Sequence, residues 1–298
     1  MPLPNPLHEL SQSLIHPAQY HWFFARRPSY FFGYLRWQLN ARYGPRVSIA
    51  GPEKATVILL NFRRVRNLEP MVRSLLLCDF VEKILVSNNN PEYRIADWIR
   101  LRDERIHLVD QPRRTVSNIR FRIACEEPGP YFLAIDDDVF LYPHQVQRLF
   151  EELIARPSSP HGIQGENFHG ETTPGTFLGW QVNIHRHEGQ ADDINTCYAF
   201  TREHALEMDR LARCLGLDLA DIPMGSDVIL SASGRERPFL HDVGRVLHCL
   251  SQHRLGVATW TMRGFFPRRA KMFRSLRALK GWPVPPLPVE RERQQGAA

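Results

Sequence analysis

Residues 131–146 read YFLAIDDDVFLYPHQV, which sets three carboxylates, Asp136, Asp137 and Asp138, directly behind an apolar run. Adjacent like charges repel, so the triplet calls for compensation. Hard oxygen ligands at a strand end suit Mn²⁺ or Mg²⁺. Such ions take one or two protein carboxylates and fill their remaining positions with water and phosphate. Alternation along a strand puts Asp136 and Asp138 on one side and Asp137 on the other, provided the strand continues through them. The bland reading is that one of the three caps the helix opening near Pro143 and the others are solvated. A further carboxylate, Asp227 in IPMGSDVIL, follows a glycine and opens a short helical run. It reads either as a helix-start residue or as a group for acid–base chemistry at a reacting carbon. His185, His187, His248 and His253 invite a metal reading, but no partner motif accompanies them, and packing or surface roles are expected.

The elements that position these residues follow from apolar spacing. ATVILLNF, EKILVSNN, RIHLVD and YFLAIDDD read as strands, with helices predicted over NLEPMVRSLLLCDF, YRIADWIRLR, TVSNIRFRIACEE and YPHQVQRLFEELIARP. Strand and helix alternate four times, the pattern of an α/β fold with a mixed, largely parallel, Rossmann-like sheet flanked by helices. Ligands of such sheets bind beyond the carboxyl ends of the strands. The asparagines of SNNNP and the aspartates of IDDDV fall at those ends. The later half is Gly- and His-rich and harder to divide, apart from a helix in REHALEMDRLARCLG and a shorter one at SDVILSASGR.

The chain has 298 residues, 43% of them hydrophobic and 23% charged, as in an ordinary globular protein. Three regions are expected: an aromatic and basic helical arm over 1–50, a main domain over 51–280, and a Pro-rich polar tail over 281–298. The arm either packs on the domain or lies at a lipid interface. Five scattered cysteines without a CxxC pair fit a reducing compartment. The start shows no secretory pattern, so a cytoplasmic location is expected. Residues 261–280 hold seven basic side chains and no acid, more than the whole formal charge of +6. Basic character this local favours a specific anionic partner over nucleic acid. From Pro267 onward, Met272, Phe273, Leu276 and Leu279 share one side, as in a helix lying on an anionic membrane. Arg263, Arg268 and Arg269 are the candidates there for closing over phosphates, with Arg263 turned inward.

Taken in order, these segments resemble the nucleotide-sugar-dependent glycosyltransferases of the GT-A fold, and more specifically the exostosin-like family sixty-four, over about residues 55–270. TVILLNFRR resembles the first strand that meets the nucleotide, ILVSNNNPE the Asn-Asn turn, SNIRFR the helix start under the nucleotide, IDDDV the DXD motif and MGSDVILS the late acidic motif. The resemblance implies a UDP-sugar donor, a glycan or glycolipid acceptor and a retaining reaction. It assigns nucleotide-sugar contacts to Arg64, Asn88, Asn89, Asn118, Arg122, Asp136, Asp137 and Arg263. It makes Asp138 the metal ligand, Mn²⁺ or Mg²⁺ the ion, and Asp227 the catalytic group. The sequence departs from that family where Ser226 stands before Asp227, and GIQGENF lacks an expected arginine. A degenerate, non-catalytic relative that binds a glycan or partner protein stays open. So does a sugar nucleotidyltransferase, against which the glycine-free LLNFRRVRNLEP counts.

Overall fold

The structure is a computed structural model that describes residues 11–12, 14, 27–169, 172–178, 187–219, 221–222, 224–249, 251 and 259–282. Its centre is β1 (Ala55–Asn61), β2 (Val81–Asn88), β3 (Ile106–Asp110) and β4 (Tyr131–Ile135), all mutually parallel in the order β3-β2-β1-β4. Beyond β4 the sheet is mostly antiparallel. The strand β9 (Asp193–Thr201) lies between β4 and β6 (His161–His169) and runs opposite to both. The strands β7 (Thr172–Leu178), β8 (Gly189–Gln190) and β10 (Phe239–Leu240) complete nine strands. A separate two-stranded ribbon pairs β5 (Val139–Phe140) with β11 (Leu247–His248). The alternating β/α reading of the first half holds, with one correction: YRIADWIRLR forms only a 3-10 turn at Ile95–Asp97.

Every residue of β1 is buried, as a central strand covered on both faces requires. Val57 and Leu59 point into one core, and Ile58 and Leu60 into the other. The first core is covered by α1 (Arg27–Tyr43), α2 (Val65–Leu75) and α4 (Pro143–Ala155). The second is covered by α3 (Ile119–Glu126), α5 (Arg202–Cys214), α6 (Ser226–Ser231) and α7 (Phe265–Lys280). Each helix lends the apolar stripe that its spacing announced, such as Leu68, Met71, Val72 and Leu75 of α2.

Both flanks meet the domain, one of them unlike the expectation. The part of the 1–50 arm that the structure describes packs on the domain through α1. Tyr34 and Trp37 sit on Phe140 at ring separations of 5.0 and 4.8 Å, and the indole Nε1 donates to the Leu141 carbonyl at 2.8 Å. In α7 the apolar side faces inward: Phe273 stacks on Phe168 at 4.3 Å and Leu276 is buried. Phe273 and Leu276 are thus spent on the core and only Leu279 of that side stays exposed, at 54%, so the membrane-facing reading of 265–280 loses most of the surface it needed. No described helix is long and apolar enough to cross a membrane. Most of the 281–298 tail, with His185 and His253, lies outside the described residues.

Trp37 fastens α1 to the strand that follows the aspartate triplet. Trp37→Ala should cost about 3–5 kcal/mol of stability, read as a lowered midpoint in urea unfolding. An unchanged midpoint would show that α1 is dispensable to the fold.

Candidate functional site

The carboxyl ends of β1, β2, β4 and β6 meet at one edge of the sheet, together with the start of β9 and of α6. Strand β4 stops at Ile135, so the triplet lies in a turn and not on a strand. That overturns the expected alternation. Asp136 pairs with Arg120 on α3 at 2.5 Å, whereas Asp137 and Asp138 both face Arg64, at 2.7 and 3.1 Å. None of the three caps α4; there the Tyr142 amide donates to Gln145 Oε1 at 2.9 Å. The capping explanation of the triplet therefore fails.

Asp137 is a tether. Its oxygens accept from the Phe62 amide at 3.1 Å and from Arg64, and its carbonyl accepts from the Asn67 amide group at 2.6 Å. Arg64 also donates to the hydroxyl and carbonyl of Ser251. Burial opposes the Arg64 charge, yet Asp138 and Asp137 hold its pKa above the ordinary value. Asp138 differs from its neighbour. Burial, assisted by Asp136 and Asp137 and opposed by Arg64, pushes its pKa to about 7. Its Oδ1 is a buried acceptor with no hydrogen-bond partner. Three carboxylates here face two guanidiniums, leaving an excess negative charge around that oxygen. This suits a divalent cation bound through Asp138, with Asp136, a quarter exposed, opening toward solvent beside it. Among the described residues no group of three His, Cys, Asp or Glu is arranged to hold a metal.

Other candidates are placed differently. Asn88 is fully buried; its amide group donates to the Tyr93 carbonyl and to Asp110, and its Oδ1 accepts from Asn61. Asn89 is tied to Val116 and Ser87, and Asn118 to the Leu219 carbonyl. All three brace the strand ends, and Asn118 keeps a buried Oδ1 without a hydrogen-bond partner. Arg122 is half exposed and pairs with Glu126 on the outside of α3, whereas Arg120, two residues earlier, reaches the triplet. Arg263 is exposed rather than turned inward, and Arg268 is exposed as well.

Arg269 supplies the larger surprise. It is buried at the centre of a second acidic cluster, bonded to Glu166 at 2.6 Å, to Asp193, and to Asp227 at 2.9 Å. Burial, against the pull of Arg269, raises Asp193 well above the usual carboxylate range. Asp227 keeps 15% exposure of its side chain, while Glu166 and Asp193 have none. Asp227 is thus the member of this cluster open to a ligand. Gly225 before it has φ 90°, and a Cβ there would come within 2.9 Å of Met272 on α7. The positive φ, which a residue with a Cβ adopts only under strain, is what calls for glycine at the start of α6.

Strand β9 joins the two clusters. Asp193 begins it and Thr196, at φ 63°, kinks it, a rare conformation for a β-branched residue. The kink turns the Thr196 carbonyl toward the Asp136 amide at 3.0 Å and its hydroxyl toward Gln164 at 2.9 Å. The amide nitrogen of Gln164 lies 2.9 Å from His248 Nε2. An amide nitrogen only donates, so His248 Nε2 accepts. His248 pairs across the ribbon with Val139, next to Asp138, a proximity that its local sequence does not announce. Tyr198 is buried beneath the guanidinium of Arg120. Burial, then Asp136, raises its hydroxyl pKa, with Asp227 and Asp193 adding from the other cluster.

No family model matches the sequence, and neither does any curated protein. Solved structures do match in fold. The crystal structure of GalNAc-T7 with UDP, GalNAc and Mn²⁺ superposes with a TM-score of 0.54 at 12% sequence identity. The match covers 77% of this chain and 48% of that one, so the chain spans about half the length of this neighbour. The fold is accordingly GT-A-like, a mixed α/β sheet between helices.

Two measurements probe the site. The folded pKa of Asp138 lies above its ordinary 3.8. Its contribution to stability is therefore full below that value and lost as pH rises through about 7. The thermal midpoint of metal-free protein should fall across this window, Asp138→Asn should flatten the fall, and added Mn²⁺ should raise the midpoint more above about pH 7 than below about pH 5. A Mn²⁺ effect equal at both ends would remove Asp138 as its origin. Arg64→Met leaves Asp137 and Asp138 without their cation and should destabilise by about 3–5 kcal/mol, measured by chemical denaturation.

Proposed function

We propose that this chain is a divalent-metal-dependent glycosyltransferase that moves a sugar from a nucleoside diphosphate sugar, a UDP-sugar, to a glycan or glycolipid acceptor. The observation that carries the reading is the buried, unpartnered Asp138 Oδ1 at the end of a parallel strand in a GT-A-like fold. The UDP and Mn²⁺ in the GalNAc-T7 structure, and the resemblance to the exostosin-like family, support the choice of nucleotide and ion.

Asp138 would hold the ion, which supplies positive charge to the diphosphate as it leaves. Asp136, kept in place by Arg120, would accept from the ribose hydroxyls. The bond between the anomeric carbon and the phosphate oxygen would break with its electron pair departing on UDP, an acceptor hydroxyl oxygen would bond the anomeric carbon in its place, and the hydroxyl proton would pass to the departing phosphate oxygen. Asp227 would face the anomeric carbon. Held by Arg269 at 2.9 Å and still 15% exposed, its carboxylate would stabilise a cation-like anomeric centre, the role that the resemblance to retaining enzymes implies. Arg269 is the positioning residue that aims Asp227.

The test is a calorimetric titration of UDP with Mn²⁺ and with EDTA, followed by transfer assays across UDP-sugars. UDP binding should require Mn²⁺ and weaken at least about tenfold in Asp138→Asn. Asp227→Asn should keep UDP binding while transfer falls by about 10²–10⁴. Metal-independent UDP binding, or none, would falsify the reading. Mn²⁺-dependent binding with no transfer from any donor would instead identify a glycan- or partner-binding relative.

A further inference from the structure

Helix α1 is apolar on two opposite sides. One side, Tyr30, Tyr34, Trp37 and Ala41, is buried in the first core. The other, Phe32, Leu35, Leu39 and Tyr43, is 66, 43, 52 and 72% exposed. Steps of three and four residues put these four on one line along the helix. Helical geometry places Arg36 along one border of that line and Arg42 along the other, and both are exposed. A surface helix ordinarily turns its polar side outward, so core packing gives no account of this stripe. The surrounding charge is one-sided: from Tyr20 to Arg46 the sequence has five arginines and no acid, and Glu9 is the sole acid of the first fifty residues.

We propose that this face of α1 docks on the surface of a bilayer containing anionic lipid. Phe32, Leu35, Leu39 and Tyr43 would enter the boundary between headgroups and acyl chains, and Arg36 and Arg42 would meet lipid phosphates. A second copy fits less well, because twofold pairing would bring the same arginines together without an acid to meet them. The inner side of α1 is fastened to β5 and β11, the ribbon that continues from the aspartate triplet; a Cβ at Gly33 would lie 3.4 Å from Leu247. Docking would therefore hold the sheet edge at a fixed attitude to the lipid. The inference goes beyond the proposed reaction and does not depend on it.

The experiment is flotation of the full chain with vesicles of phosphatidylcholine alone and with about 30% phosphatidylglycerol. The wild type should float with the anionic vesicles and not the neutral ones, less so at high salt. Phe32→Ser/Leu39→Ser and Arg36→Glu/Arg42→Glu should each lower binding at least about tenfold. All four positions are exposed, so both variants should keep the wild-type melting temperature and Mn²⁺-dependent UDP binding, which separates failure here from failure of the reaction reading. No flotation, equal flotation of both variants, or equal binding to neutral vesicles overturns the proposal. So does a concentration-dependent dimer that Phe32→Ser dissolves.

Discussion

A guanidinium stripped of water has to keep its carboxylates, because the alternative is an uncompensated buried charge. Arg64 imposes that condition on the whole sheet edge. It stands where β1 hands over to α2, and it grips Asp137 and Asp138 after β4 and Ser251 after β11. Three stretches of chain far apart in sequence therefore converge on one side chain. Once Asp137 is pinned by Arg64, Phe62 and Asn67, the turn after β4 has little freedom. Asp138 is left buried beside it, with one oxygen bonded and the other not. The geometry that suits a cation is a by-product of how the strand ends are tied together.

The central strands were legible because each is an uninterrupted apolar run bounded by polar residues, and a strand covered on both faces can hardly read otherwise. The position of the triplet at the sheet edge followed from that alone. Its internal geometry did not, since alternation applies only while the chain stays extended, and the turn begins one residue too soon. Arg120 and Arg122 show a different limit. Two residues apart on α3 they face nearly opposite ways, and SNIRFR does not say which of the two is inward. Arg269 was hidden more deeply. In a helix crowded with cations every arginine looks solvated, and its partners Glu166, Asp193 and Asp227 come from three other elements. No local pattern records a pairing of that kind.

Neither cluster is electrically balanced. Each holds more carboxylates than guanidiniums, and β9 runs between them with Tyr198 feeling both. The kink at Thr196 costs on the order of 1–3 kcal/mol. It also coincides with the register shift between β6 and β9 and supplies a carbonyl to hold the Asp136 amide. Strain, excess charge and an unsatisfied oxygen accumulate along one strand end. A fold tolerates that concentration where something else completes the site.

The order in which the chain is made gives the late position of α7 a further meaning. During synthesis β4 emerges well before β9, so its open edge waits for a strand that arrives some sixty residues later. Glu166, Asp193 and Asp227 would then gather before any cation reaches them, since Arg269 leaves the ribosome last. Until it does, three carboxylates face one another in a half-covered core, and the second face of the sheet lacks Phe273 and Leu276. Docking of α7 brings the cluster its cation and covers that face in a single step. A ribosome stalled before residue 269 would hold a chain whose sheet is nearly complete, yet whose acidic centre still pushes itself apart.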